Sequence, residues 1–260
     1  MLAGRIAVAV LAALAAARAD AAVVLRVDTV ATPPDAPGVE ITASNAGDEA
    51  AVGVTPVVVS QHVTAAGDGA RLDPGARRVW RLSLPPPPAR AAVPAIGQVR
   101  WAGAREGRGS VPVVAVLRAA DAPAPSVDAT LVATPLARVA SMRFALVNRG
   151  DTLLAGRVVA VLPAAITTEP QSQAATLAAH ASTTVPIMLD ASEARVGVDY
   201  PAFAFFEYAD GGAPQVVVAT TTLRASSERG SRVPLLVGGG ALVGALGVLA
   251  FALRRSRRPG

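Results

Sequence analysis

From Val23 onward, apolar residues alternate with polar ones in short runs and do not recur every three or four positions. In residues 39–44, Val39, Ile41 and Ala43 fall on one side, and Glu40, Thr42 and Ser44 on the other. Successive side chains of an extended chain point to opposite faces, so this spacing predicts half-buried strands. Turn chemistry rich in Gly, Pro, Asn and Asp separates the runs. Strands are expected over 23–30, 39–44, 51–60, 77–84, 96–102 and 111–118, and again over 127–133, 141–148, 156–162, 182–189, 201–208 and 215–223.

The order of features repeats. Asn45-Ala46-Gly47-Asp48 closes the second run, and Asn148-Arg149-Gly150-Asp151 closes its counterpart 103 residues later. Leu72-Asp73-Pro74-Gly75 precedes one strand, and Leu177-Ala178-Ala179-His180 precedes another at an offset of 105. About seven short strands fill a sandwich of roughly 100 residues, so two tandem copies account for the spacing. Asn45, Gly47, Asp48, Asn148, Gly150 and Asp151 are read as structural turn residues, because Asn and Gly tolerate positive φ and Asn or Asp side chains bond the local backbone. Calcium at Asp48 or Asp151 is set aside, since neither lies in a dense D-x-D-type loop. Trp80, Leu82 and Leu84 are expected in the core of the first copy, and Phe203, Phe205 and Phe206 in that of the second. Tyr200 is assigned either to a tyrosine corner, its hydroxyl bonded to backbone, or to plain core packing.

Two segments break the alternation. Residues 234–253 are twenty residues without a charge, and at about 1.5 Å rise per helical residue they span a hydrocarbon core of about 30 Å. A single transmembrane helix is expected there, since a lone segment in lipid must satisfy its backbone internally. Arg254, Arg255, Arg257 and Arg258 follow at once and place the tail in the cytoplasm. Gly240 and Gly244 form G-x-x-x-G with Gly247 one turn on, a ridge suited to helix association in the membrane. At the other end, Arg5 precedes the apolar run 6–17, and Ala17-Arg18-Ala19 or Ala19-Asp20-Ala21 supplies a small-residue cleavage site. That is the pattern of a secretory signal peptide, with an uncleaved anchor as the alternative.

The resulting plan is all-β: a signal peptide (1–19), an immunoglobulin-like sandwich (20–120), a Pro-containing linker (121–125), a second sandwich (126–224), a stalk (225–232), the membrane helix (233–253) and a basic tail (254–260). Charge then reads differently from its total. The net charge is +5, but removing the four tail arginines with Arg5 and Arg18 leaves −1 for the exported part. A near-neutral ectodomain has no basic field to displace counterions from nucleic acid, so nucleic acid is not expected as a partner. Cysteine is absent, which excludes disulfides and thiolate metal sites. His62 and His180 are the two histidines, one in each copy, and are read as surface residues. No nucleophile elbow, phosphate loop or H-E-x-x-H occurs, so no enzyme and no cofactor are expected.

The Asn-x-Gly-Asp turns after alternating strands, followed about 25 residues later by a Leu-x-Pro-Gly-like step, resemble bacterial Ig-like modules of the CARDB and NPCBM-associated type. The resemblance implies immunoglobulin-like sandwiches with extracytoplasmic binding or spacing roles. The plan of leader, paired modules, one membrane helix and basic tail is similar to that of WxL-interacting surface proteins. Gly238-Gly239-Gly240, the apolar run and the arginines also resemble glycine-rich sorting tails cut by rhomboid-type proteases, although Pro234-Leu235-Leu236-Val237 precedes the glycines here. The expectation is a non-enzymatic, single-pass protein of the bacterial envelope whose modules face outward and bind or space another envelope protein. Two alternatives stand beside it: a chaperone-like assembly factor offering a sheet edge to a client strand, and a metal carrier or enzyme subunit.

Overall fold

The computed structural model describes residues 22–104, 107–136 and 139–225. The expected leader, membrane helix and tail, with Gly240, Gly244, Gly247 and Arg254 to Arg258, lie outside the described residues. No helix of the described residues is long and apolar enough to cross a membrane. Every named element among them is a strand.

The first unit contains β1 (Leu25–Ala31), β2 (Gly38–Asn45), β3 (Ala51–Ser60), β4 (Val63–Ala66), β5 (Ala70–Leu72), β6 (Arg77–Ser83), β7 (Ala92–Gly103) and β8 (Gly107–Arg118). The second contains β9 (Val127–Ala133), β10 (Val139–Asn148), β11 (Leu154–Val161), β12 (Ser172–Leu177), β13 (Ser182–Asp190), β14 (Asp199–Asp210) and β15 (Ala213–Arg224). Sheet β1-β2-β6 faces β4-β3-β7-β8, with β5 also on β3, and sheet β9-β10-β13 faces β12-β11-β14-β15. Every strand pair is antiparallel. Strands β1, β2 and β6 of the first unit, and β9, β10 and β13 of the second, form one sheet and the remaining strands the other, the arrangement of an immunoglobulin-like sandwich.

The alternation read from the sequence fills the two cores. Ile41, Trp80, Leu82 and Val99 are buried between the sheets of the first unit, and Phe144, Leu146, Leu154 and Phe206 between those of the second. Strands β3 and β9 have the expected limits, 51–60 and 127–133. The unexpected strands β4, β5 and β12 are short pieces, VTAA, ARL and SQAATL, with no run of large apolar residues to announce them. They form because edge backbone groups of β3 and β11 need partners. Ala225, expected to open the stalk, is buried and bridges to Leu136, so the second sandwich runs one residue further.

Phe203 and Phe205 depart from their expected place: Phe203 is half-buried and both lie on the other side of β14 from Phe206. Ala204, Phe206 and Tyr208 point into the second core, with the rings of Phe206 and Tyr208 stacked at 5.2 Å. Period two therefore turns Phe205 to the opposite face of the sheet, where it is buried with Val216 of β15 against Ala92 of β7. The outer face of each larger sheet is thus closed by the other sandwich at this end.

Candidate functional site

The duplicated asparagines build the turns that position the site. Asn45 and Asn148 are each 1% exposed. Asn45 Oδ1 accepts the Gly47 N–H at 3.0 Å, and its Nδ2 donates to Glu49 O at 2.7 Å and Leu72 O at 3.0 Å. Asn148 repeats this, accepting from Gly150 N at 2.9 Å and donating to Thr152 O at 2.8 Å and Ala178 O at 3.0 Å. Gly75 and His180, which end the paired Leu-led steps, share a left-handed backbone with φ of 79° and 55°. Asp48 Oδ1 accepts the Ala22 N–H at 2.7 Å, whereas Asp151 Oδ1 lies 2.8 Å from His180 Nε2 at the surface. His62 occupies the β3–β4 turn with φ of 66° and is exposed. Among the described residues, no group of three or more His, Cys, Asp or Glu is placed to hold a metal ion.

The linker is stitched to both sandwiches. Arg90 N donates to Asp121 Oδ1 at 2.7 Å, Gln215 Nε2 to Arg90 O at 2.7 Å, and Ser126 Oγ to Asp210 Oδ2 at 2.9 Å. Asp210-Gly211-Gly212 makes the expected tight hairpin, Asp210 pairing with Ala213 and both glycines at positive φ. Tyr208, on the same strand, carries a buried hydroxyl with no hydrogen-bond partner. Burial raises its phenol above the ordinary value, and the neighbouring Ser126 opposes that shift although its own hydroxyl is given to Asp210.

Away from the linker the two sheets part, leaving a cleft of about 530 Å³ lined by both sandwiches. Arg100, Trp101 and Arg108 come from β7 and β8, and Pro163, Arg195 and Tyr200 from the second unit. The indole of Trp101 lies against Gly109, where any Cβ would stand 2.4 Å from its ring. Glycine is therefore what lets the ring rest on β8. Tyr200 OH accepts the Arg195 N–H at 2.7 Å and fixes the loop that forms the far wall, the tyrosine-corner geometry weighed from the sequence. The Gln98 amide, turned with its oxygen toward Arg100, accepts from Nε at 2.9 Å. Asp199, the acidic residue of the lining, pairs with Arg224 at 3.6 Å. Arg100 and Arg108, beside an aspartate that is already paired, make the cleft suited to an acidic surface or chain end.

Sequence reasoning missed this cleft and the seam behind it. The usable signal was the continuous apolar runs Val158-Val159, Val216-Val217-Val218 and Val113-Val114, which break alternation because both faces of these strands are covered.

Neither a protein-family model nor a curated protein matches this chain. Among solved structures, the YadV chaperone is similar over 76% of this chain and 99% of its own, at 12% identity and a TM-score of 0.34. Native Escherichia coli alpha-2-macroglobulin matches over 78% of this chain at 12% identity and a TM-score of 0.32, and this chain spans 17% of that protein. A Ca²⁺-stabilized adhesin with which an Antarctic bacterium binds ice matches over 80% of this chain and 50% of its own, at 12% identity and a TM-score of 0.24. At such scores the class of this protein, a tandem immunoglobulin-like β-sandwich, rests on its own strand order.

Proposed function

We propose that the chain is a single-pass protein of the bacterial cell envelope, held in the bilayer by residues 233–253, whose two outward sandwiches bind an envelope protein without catalysis. The observation that carries the binding role is the cleft shared by both sandwiches, with Trp101, Arg100 and Arg108 on its walls. A half-buried aromatic beside guanidinium groups is the composition of a recognition surface, and the arginines select a partner that presents carboxylates. We assign the modules to the CARDB and NPCBM-associated type of Ig-like domain on the duplicated Asn-x-Gly-Asp turn. The membrane anchor rests on the uncharged segment and the four arginines beyond it.

Strand addition to a sheet edge is the less favoured reading. The outer strand β6 carries Arg77, Arg78 and Arg81, and β13 carries Pro186, residues that blunt an edge against pairing.

The test is fractionation of the full chain from an expressing bacterium, with chemical crosslinking in place. The intact protein is expected in the membrane fraction and in a crosslinked complex, and deletion of 233–260 is expected to release it to the aqueous fraction. The double charge reversal Arg100→Glu, Arg108→Glu is expected to abolish the complex while leaving membrane retention intact. Recovery of the intact chain in buffer alone would sink the anchor, and an unchanged complex with the double variant would sink the cleft.

A further inference from the structure

Ala22, the first described residue, is fastened to the turn that follows β2. Asp48 N and Glu49 N donate to Ala22 O at 3.2 and 3.4 Å, and Ala22 N donates to Asp48 Oδ1 at 2.7 Å. A Cβ at Gly47 would stand 2.0 Å from Ala22 O, so the turn has a glycine where the chain start crosses it. The carboxylate of Glu49 is also near, since a Cβ at Gly103 would meet Val23 Cγ2 at 3.0 Å and Glu49 Oε1 at 3.1 Å. Two acidic residues therefore flank the point where the first sandwich begins.

The second sandwich supplies an internal control. The bond from Ala46 N to Val24 O at 2.8 Å is matched by that from Arg149 N to Ser126 O at 2.7 Å, which puts Ala124 where Ala22 stands and Asp151 where Asp48 stands. There the chain arrives through a linker, and Asp151 turns to His180 Nε2 at 2.8 Å. Only the copy that opens the exported chain directs its aspartate at a backbone nitrogen.

We propose that leader removal cuts the Ala21–Ala22 bond and that Asp48 then binds the new α-ammonium of Ala22 as a salt bridge. In that hydrolysis water adds across the peptide bond: its oxygen goes to the Ala21 carboxylate, and the nitrogen of Ala22 takes up protons to become the ammonium. Ala17-Arg18-Ala19 and Ala19-Asp20-Ala21 both satisfy the small-residue rule, so the leader alone does not choose between them. The surroundings do. A cut after Ala19 leaves the Ala22 nitrogen a neutral amide, whereas a cut after Ala21 turns that nitrogen, 2.7 Å from Asp48 Oδ1, into a cation facing a carboxylate. Ala22 also lines the cleft, so the cut sets what stands at its mouth.

This inference rests on the export reading, and the experiment separates the two. The full chain, purified in detergent from the envelope of an expressing bacterium, is analysed by intact mass and N-terminal sequencing. A start at Ala22 is expected. A start at Asp20 or at Met1 overturns the inference, while export is read separately, from recovery of the chain in the envelope fraction, and fails only if the chain stays in the cytoplasm. The α-amine is then titrated by nuclear magnetic resonance after isotopic methylation. Its pKa is expected to fall in Asp48→Asn, which keeps a hydrogen-bond acceptor, and to hold in Asp151→Asn. An α-amine that titrates alike in wild type and Asp48→Asn overturns the ion pair.

Discussion

Gln215 of the second sandwich, 3% exposed, donates its side-chain amide to the carbonyl oxygen of Arg90 in the first at 2.7 Å. The bond sits beside Phe205, Val216 and Ala92, so a polar tie and an apolar seam together fix the angle between the sandwiches. That angle is what gives the cleft two walls.

Gln215→Ala leaves the Arg90 carbonyl without this partner in a partly buried position and is expected to weaken the seam by about 1 kcal/mol while each sandwich stays folded. Limited proteolysis is expected to cut residues 119–126 faster than in the wild type, and small-angle scattering to show a larger radius of gyration.

Asn45→Ala and Asn148→Ala each remove an acceptor for a turn amide and a donor shared by two carbonyls. Each is expected to cost about 2–3 kcal/mol, because those buried groups lose their partners. The sites lie in separate cores, so the double variant is expected to be additive in chemical denaturation.

Tyr208→Phe tests the buried phenol. A pKa raised above 10.0 means that the folded chain holds this proton after the unfolded chain has lost it. Stability is then lost as pH climbs past the unfolded value toward the raised one. The variant is expected to be at least as stable as the wild type at neutral pH, since the hydroxyl has no partner to lose. Urea unfolding from pH 9 to 11 is expected to show a shallower alkaline decline in the variant.

Gly109→Ala places a methyl 2.4 Å from the Trp101 ring. The ring is the free end of a side chain and is expected to swing outward at a cost of about 1 kcal/mol or less. The chain has two tryptophans and Trp80 is buried, so a red shift of emission reports Trp101. Binding of the envelope partner is expected to fall with it.

Much of the local structure was legible in the chain. Alternation at Val39, Ile41 and Ala43 reports a single buried face, and a single buried face is all that period two needs to place a strand. The paired Asn-x-Gly-Asp turns announced duplication because a buried asparagine that caps its own turn constrains the residues around it. Strands β4, β5 and β12 were not legible, since their pairing is dictated by the neighbour's unsatisfied backbone and not by their own side chains. Tyr200 was legible in two roles, and the structure gives it both, its hydroxyl on the Arg195 amide and its ring against the second core.

By itself, then, the sequence determined the class of element, the twofold repeat and the turn chemistry, all of which depend on interactions within a few residues or on period. Tertiary structure alone decided that Phe205 seals a seam instead of filling a core, that Gln215 reaches Arg90 across 125 residues, and that Trp101 and Arg195 share a cleft. Those relations join surfaces far apart in the chain, and no local pattern encodes which outer face meets which.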